Sequence, residues 1–122
     1  DCLKHIREVM EEYISTYQPE EVAIEGVFYS RNLKTTLILG EARGVVICCC
    51  AEHNLPIYEY SPKRVKQATT GTGTAIKEQM QRMIAARLAL DTLPQSDAAD
   101  ALSMALTHSH ARRGISPGTK IK

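Results

Sequence analysis

The spacing of hydrophobic residues along the chain predicts where its helices and strands lie. Over residues 2–17 the apolar side chains recur three, four and seven positions apart, as on one face of an amphipathic helix, and Pro19 ends this segment. In the same way the pattern predicts two strands, over 21–26 and 55–60. It also predicts a long helix over 32–53, capped by Asn32, and two further helices over about 75–90 and about 97–110.

The segments between these elements are polar. Ser61 and Pro62 break the second strand, and the stretch 63–74 is expected to be irregular. Helices that alternate with strands predict an α/β domain with parallel strands, here residues 1–110, followed by a basic, flexible tail over 111–122. Because sheets usually have about four to six strands, we expect further strands before residue 1.

Charge is distributed unevenly along the chain. Residues 1–60 hold ten acidic and five basic residues, whereas residues 61–122 hold four acidic and ten basic ones. The basic half suits a polyanion, or it is simply a solvated surface. No apolar run reaches the roughly 20 residues that a membrane span needs.

The cysteines are Cys2 and the consecutive Cys48, Cys49 and Cys50. Because neighbours on a helix point about 100° apart, three thiols in a row cannot converge on one metal ion. Their spacing is also unlike that of a disulfide framework. We expect small buried apolar residues in a protein of the reducing cytoplasm.

Three carboxylates are candidates for chemistry. Asp97 and Asp100 share one face of a helix's first turn, although capping and the helix dipole alone would also favour Asp there. Glu25 ends a buried strand, and open α/β sheets place their sites at the carboxyl ends of strands. Carboxylates from a strand end and a helix start could converge on divalent cations, two of which would clamp the attacking and leaving oxygens of a phosphodiester.

The segment Thr69–Thr74, T-T-G-T-G-T, is a second candidate site. It lacks the pattern of a nucleotide-binding P-loop, but its backbone N–H groups could meet a phosphate at the start of the next helix. Lys66 and Lys77 flank it and would suit a nucleic-acid backbone or a transition state that gains negative charge. The alternative is a flexible connection with two solvated lysines.

Aromatic and imidazole side chains are less specific signals. Phe28, the only phenylalanine, follows Glu25 by three residues and could stack on an unpaired base, although a lone phenylalanine is more often part of a core. His108 and His110 are two positions apart on a helix and point in nearly opposite directions. We interpret them as helix-end residues that complement the dipole, not as a metal pair.

The motifs in this order resemble the RuvC-type Holliday junction resolvases, over nearly the whole chain. They are A-I-E-G-V-F (23–28), R-N (31–32), L-G-E-A-R-G-V (39–45), L-P-I-Y-E-Y (55–60), V-K-Q (65–67), G-T-G (71–73) and S-D-A-A-D-A-L-S-M-A-L-T-H-S-H (96–110). The resemblance implies an α/β ribonuclease-H-like fold, a mixed sheet with flanking helices, whose N-terminal strands are absent from this chain.

The resemblance also implies an activity, a cofactor and partners. The family consists of structure-specific DNA endonucleases that resolve four-way junctions in recombination and repair by two-metal phosphodiester hydrolysis. The implied cofactor is Mg²⁺, two ions per subunit, with Mn²⁺ as an alternative. The implied partners are four-way junction DNA, a second copy in a homodimer and a branch-migration helicase. The long helix lies at the family's dimer contact, where Gly40 and Gly44 share a face here.

Nine residues match the family's site. They are Glu25, Asp97 and Asp100 as catalytic metal ligands, Lys66 and Lys77 as catalytic residues that also contact DNA, and Phe28, Arg31, Gly71 and Gly73 as DNA contacts. Phe28 matches the aromatic residue that stacks on a base near the crossover.

One family segment has no counterpart here. The family begins with a strand that carries G-I-D-P-G, whose Asp is a fourth essential carboxylate. We therefore expect these residues alone to bind metal weakly, fold poorly and cut nothing. Two alternatives to a resolvase stay open: a ribonuclease-H-like nuclease that acts on RNA, which a comparison of the two substrates would reveal, and a non-catalytic junction-binding module, which the upstream coding sequence would reveal.

Overall fold

A computed structural model of the chain describes residues 2–26, 31–113 and 119–120. Helices and strands alternate along most of these residues. The elements are α1 (Cys2–Tyr17), β1 (Val22–Glu25), α2 (Leu33–Glu52), β2 (Ile57–Tyr60), α3 (Pro62–Thr70), α4 (Lys77–Arg87), α5 (Ser96–Arg113) and β3 (Thr119–Lys120). The strands form one sheet in the order β1-β2-β3.

The chain divides into two compact units. The first contains α1, α2 and the N-terminal ends of β1 and β2, and the second contains the C-terminal ends of those strands with α3, α4 and α5. No described helix is both long enough and apolar enough to span a membrane.

The helices of the first unit form as the sequence predicts. α1 packs against α2 and buries Ile14 from its apolar face. α2 begins where the Asn32 side-chain oxygen accepts a hydrogen bond of 3.3 Å from the Thr35 N–H. The predicted helices over 2–17 and 32–53 and the Asn32 cap are therefore confirmed, with the ends of α2 differing by one residue.

The strands β1 and β2 run parallel. The Val22 N–H donates to the Pro56 carbonyl, and the Gly26 N–H donates to the Tyr60 carbonyl, both at 2.9 Å. Donor and acceptor advance together along the two strands, which is the pattern of a parallel pair. Because α2 connects them, β1, α2 and β2 form the β-α-β arrangement that the alternating pattern predicts.

The stretch 63–74, predicted to be irregular, contains most of a helix instead. α3 begins because the Ser61 hydroxyl accepts a 3.2 Å hydrogen bond from the Arg64 N–H, and because Pro62 occupies a first-turn position that needs no N–H partner. It ends at Gly71, whose φ of +88° is the left-handed conformation that glycine adopts without strain. The prediction is wrong because a Ser-Pro pair that ends a strand can also begin a helix.

The three helices of the second unit pack on one another around a small core. Tyr60 from β2, Ile84 from α4 and Ala99 from α5 are at most 1% exposed. Burial of a large apolar side chain contributes about 1.5–3 kcal/mol to folding, so these contacts fix the helices that carry the candidate site. α4 is shorter than the helix predicted over 75–90, since the chain turns through a positive φ of 53° at Ala89.

The C-terminal segment is partly regular. α5 continues through Arg113, so it includes the first residues of the tail predicted over 111–122. Thr119–Lys120 join the sheet as β3. Residues 114–118 and 121–122 lie outside the described residues, and for them the flexible tail stays a prediction.

The cysteines are all free thiols. Cys49 and Cys50 are fully buried, as predicted, whereas Cys2 and Cys48 are exposed, so the prediction is wrong for these two. Cys48 lies at the surface of α2, where its thiol contacts Glu52 Oε1 at 3.3 Å.

Candidate active site

Glu25 stands at the carboxyl end of β1. The hydrogen bond from the Gly26 N–H to the Tyr60 carbonyl fixes this end of the strand beside β2. A Cβ on Gly26 would lie 3.0 Å from Glu59 Oε1, so glycine permits the close approach. The other β1 residues are half-buried and Glu25 is exposed. The carboxylate therefore lies at the edge where parallel α/β sheets place their sites.

Asp97 and Asp100 lie in the first turn of α5. Ala99 between them is fully buried and anchors this turn in the core of the second unit. Just before the helix, the Pro94 carbonyl accepts a hydrogen bond of 3.0 Å from Gln81 Nε2 of α4. Both aspartates stay exposed on this anchored helix start.

The charges of the three carboxylates interact. Burial raises the pKa of Glu25 above its usual range, and the Asp100 carboxylate raises it further. Burial also raises the pKa of Asp100, and repulsion from Asp97 adds to that shift. Because like charges shift a pKa only at short range, Asp100 lies near both Glu25 and Asp97.

Two lysines flank the carboxylates. Lys66, half-buried on α3, acts against the raised pKa of both Glu25 and Asp100. Lys77, the first residue of α4, acts in the same direction on Asp100. The structure thus places the predicted lysines close enough to the acids for their charges to interact, and Lys66 lies on α3, the helix that leads into the loop.

The donor set of this site fits a hard divalent cation. Carboxylate oxygens are the ligands that Mg²⁺ and Mn²⁺ prefer in proteins. Besides burial, repulsion from Asp100 raises the pKa of Glu25, and repulsion from Asp97 raises that of Asp100; a bound cation would remove this repulsion. Glu25, Asp97 and Asp100 therefore carry the oxygen ligands that such an ion prefers.

Several backbone N–H groups of the loop after α3 already have partners. The Thr72 N–H donates to Thr70 Oγ1 at 3.2 Å, and the Thr74 N–H donates to Thr72 Oγ1 at 3.3 Å. At the start of α4, the Ile76 N–H donates to Gln79 Oε1 at 2.9 Å. The expectation that this loop presents its N–H groups to a phosphate is wrong for these three groups, because threonine and glutamine side chains bind them instead.

Gly71 and Gly73 have structural reasons to be glycine. Gly71 ends α3 in the left-handed conformation. A Cβ on Gly73 would lie 2.7 Å from Lys63 Cγ, so a side chain there would displace the lysine. Both requirements are local to the loop, and the DNA contacts of these glycines stay predictions.

Two of the predicted DNA-contacting residues are not part of the second unit as the structure describes it. Arg31 is exposed at a bend before α2, in the first unit. Phe28 lies outside the described residues. Their roles stay predictions.

His108 is buried in the second unit, so its interpretation as a helix-end residue that complements the dipole is wrong. Its Nδ1 forms a hydrogen bond with the Tyr60 hydroxyl, and the two rings meet edge to face with centroids 5.5 Å apart. The Arg64 guanidinium lies 5.0 Å from the centre of the Tyr60 ring, within cation–π range. Tyr60 therefore joins β2 to α3 and α5, the helices that carry Lys66 and Asp100.

Sequence reasoning does not identify Tyr60 as a site-supporting residue. It pairs with a histidine 48 positions away, and no local spacing links the two. The only signal is that each lies in one of the matched motifs, L-P-I-Y-E-Y and S-D-A-A-D-A-L-S-M-A-L-T-H-S-H.

Comparison with known proteins identifies the family. A family model described as "Crossover junction endodeoxyribonuclease RuvC" matches residues 1–108. The protein of that name from Chromohalobacter salexigens is 55% identical over 105 residues, 86% of this chain. The one from Azoarcus sp. is 48% identical over 113 residues, 93% of this chain.

Solved structures give the same family. Thermus thermophilus RuvC matches 91% of the chain with a TM-score of 0.80 and 37% identity. T. thermophilus RuvC in complex with a Holliday junction substrate matches 96% of the chain with a TM-score of 0.86 and 36% identity. These likenesses confirm the predicted α/β, ribonuclease-H-like fold.

The matches cover only part of the relatives. The chain spans 56% and 62% of the lengths of the Chromohalobacter and Azoarcus proteins. It spans 68% and 72% of the two T. thermophilus chains.

Proposed function

Since this chain belongs to the RuvC family of crossover junction endodeoxyribonucleases, we propose that its protein cuts four-way DNA junctions in recombination and repair. The observation that carries the proposal is the set of three interacting carboxylates, Glu25, Asp97 and Asp100, flanked by two lysines. The complex of a T. thermophilus relative with a Holliday junction substrate supports junction DNA as the ligand. The proposal concerns the whole protein, because the chain spans less than two thirds of its curated relatives.

Glu25, Asp97 and Asp100 would hold two Mg²⁺ ions per subunit, with Mn²⁺ as an alternative. Such ions supply an activated water molecule and neutralise charge on the phosphodiester. The protein's own contribution is to hold these acids near one another and to counter the raised pKa of Glu25 and Asp100. Lys66 and Lys77 assist this, since their charges lower the pKa of neighbouring acids.

The two lysines have a second role at the DNA. Lys66 and Lys77 lie close enough to the carboxylates to contact the phosphate being cut and to stabilise the negative charge that develops on it. Lys77 is exposed at the start of α4, where the positive end of the helix dipole acts in the same direction.

Backbone affinity and base contacts come from other residues. The basic half of the chain, residues 61–122, supplies salt-dependent attraction to phosphates. Arg31, Gly71 and Gly73 contact the DNA strands, and Phe28 stacks on a base near the crossover. Junction shape, rather than sequence, provides most of the binding preference.

The protein works as a homodimer through α2. Leu33 and Leu37 are 72% and 59% exposed on this helix, and Gly40 and Gly44 continue the same face with open space around each Cβ position. Glycine inside a helix is unfavourable by about 0.5–1 kcal/mol unless close packing offsets it, which a second copy would provide. Light scattering tests this: Gly44→Leu should give monomers, and an unchanged dimer would contradict it.

The wider setting follows from the family. Residues 1–110 belong to the resolvase domain, whose last helix, α5, continues through Arg113. The protein acts in the cytoplasm together with a branch-migration helicase. Co-purification of such a motor with the tagged protein tests this last partner, and its consistent absence would contradict the pairing.

The substrate is tested by direct comparison. With Mg²⁺ present, the purified whole protein, including the segment upstream of these residues, should cut a mobile four-way DNA junction and leave structured RNA and linear duplex DNA intact. Preferential cutting of the RNA would instead support the ribonuclease-H-like RNA nuclease. Junction binding without cutting, by the protein with its upstream segment, would support the non-catalytic module.

A further inference from the structure

A second group of potential metal ligands lies in the first unit, between α1 and α2. Glu11 of α1 faces Cys49 of α2 and His53, the residue that caps the carboxyl end of α2, and one ligand atom from each lies within 4.8 Å of the others. His53 Nε2 donates to Glu11 Oε2 at 2.8 Å, and the Cys49 thiol donates to Glu11 Oε1 at 3.4 Å. Cys49 is fully buried, and the other two are half-buried.

The distances suit a small tetrahedral ion. Zinc binds sulfur at about 2.3 Å and nitrogen or oxygen at about 2.0–2.2 Å, so ligand atoms around it stand about 3.4–3.6 Å apart. One ligand atom each from Glu11, Cys49 and His53 already lies within 4.8 Å of the others, so adjustments of the side chains alone would bring the three to that spacing.

Helix geometry explains why these ligands meet. Cys49 and His53 are four positions apart, so they share one face of α2. They lie at the carboxyl end of that helix, where the negative end of the dipole favours a cation. Glu11 completes the group from the helix that packs on this face.

The surrounding charges favour a divalent cation. Arg7 approaches Glu11 Oε1 at 4.0 Å, but its guanidinium binds both oxygens of Glu52 at 2.9 Å. Because Arg7 and Glu52 cancel each other, Glu11 and an ionised Cys49 leave two negative charges for the ion. When the ion binds, the Cys49 thiol releases its proton to solvent as the sulfur–metal bond forms, and the His53 ring proton moves from Nε2 to Nδ1 so that Nε2 can bind the ion.

We propose that Glu11, Cys49 and His53 bind one Zn²⁺-class ion, a borderline-soft divalent transition metal, which ties α1 to α2. A sulfur, an imidazole nitrogen and a carboxylate oxygen form a mixed set that such metals prefer over Mg²⁺, and a water molecule completes the tetrahedron. This site shares no residue with the proposed active site. Its role is structural, because it joins two packed helices.

Cobalt(II) is the probe, because a cobalt–thiolate bond gives a charge-transfer band that carboxylate sites cannot give. The reduced protein, with excess Mg²⁺ to occupy the oxygen site, is titrated with Co²⁺ and then with Zn²⁺. The band should saturate at one ion per chain and disappear as Zn²⁺ displaces the cobalt. Absence of a thiolate band in the wild-type protein would overturn the proposal.

Two variants and a matched control identify the ligands. Cys49→Ser should abolish the band, and His53→Gln should weaken Zn²⁺ binding by at least about tenfold. Cys48→Ser alters the adjacent exposed thiol and should behave as wild type. Circular dichroism shows whether Cys49→Ser folds. If it does not, the zinc affinity of His53→Gln, a change at a half-buried side chain, tests the assignment. Loss of the band in Cys48→Ser, or unchanged zinc affinity in His53→Gln, contradicts the assignment.

Discussion

Glu25 and Asp100 show how single residues define the candidate active site. Each acid is partly shielded from water, which favours its protonated form, and each feels another carboxylate. Lys66 opposes both effects without cancelling them, since the pKa of each acid remains raised. A bound cation would therefore stabilise the ionised form of both acids.

This coupling can be measured at one carboxyl group. Replacing Asp100 by Asn removes a negative charge beside Glu25, so the raised pKa of Glu25 should fall toward its usual range while the contribution of burial remains. Carbon-13 NMR of the labelled glutamate carboxyl follows the titration. Asp91→Asn, which removes an exposed acid from the loop before α5, serves as control and should leave Glu25 unchanged. An unaltered Glu25 titration in Asp100→Asn would show that the two acids are not neighbours.

The sequence predicts the position of a side chain where a general structural rule governs it, and not where packing alone does. Glu25 lies at the carboxyl end of β1, where parallel sheets place their sites, so the pattern of elements predicts its position. His108 meets Tyr60 inside the core of the second unit, where packing alone decides partners. A pattern that shows only helical spacing therefore predicts the position of His108 on its helix but not its burial.

At the scale of elements, α1 and α2 are joined by an ion pair. Arg7 binds both oxygens of Glu52, and this lowers the pKa of Glu52 from 4.5 to about 2. A carboxylate whose pKa is lowered in the folded state stabilises that state above its unfolded pKa. The contribution is lost as the pH falls from 4.5 toward 2.

Acid unfolding tests this pair. In Glu52→Gln, the free energy of unfolding should decline less steeply than in the wild-type protein between about pH 4.5 and 2, because the titrating group is gone. Urea titrations at several pH values measure the slope. Glu8→Gln, at an exposed acid of α1 with only an i,i+4 partner, should keep the wild-type slope. Identical slopes for Glu52→Gln and the wild-type protein would contradict the pairing.

The end of α3 gives a second element-level prediction. Gly71→Ala should destabilise the protein by about 1–2 kcal/mol, because an L side chain is strained at the positive φ of this position. Gly71→Asn should cost less, since asparagine tolerates the left-handed conformation. Thermal unfolding without DNA compares the variants. Equal stability of the alanine and glycine proteins would show that α3 does not end in this conformation.

The sequence predicts long elements better than short ones. α1 and α2 contain several turns of consistent apolar spacing, and Asn32 marks where α2 begins. α3 has only nine residues, too few for a clear period, so its limits depend on the Ser61 cap and on Gly71. In short helices, capping residues therefore indicate where the helix begins and ends, because too few residues show a hydrophobic period.

At the scale of the whole molecule, the family relation and the site are independent lines of support. The family model matches residues 1–108, which include the carboxylates and both lysines. The chain spans 56% of its Chromohalobacter relative, so the activity is a proposal about the whole protein. The proposal at this scale is that Glu25, Asp97 and Asp100 act together on junction DNA.

The rate of junction cleavage by Glu25→Gln tests that claim most directly. The amide keeps the shape of the side chain but removes the charge that would hold a cation. At saturating Mg²⁺, cleavage of a mobile four-way junction should fall by at least about 100-fold, while junction binding in Ca²⁺ stays within about twofold of the wild-type protein. A Glu25→Gln protein that cuts at the wild-type rate would contradict the account.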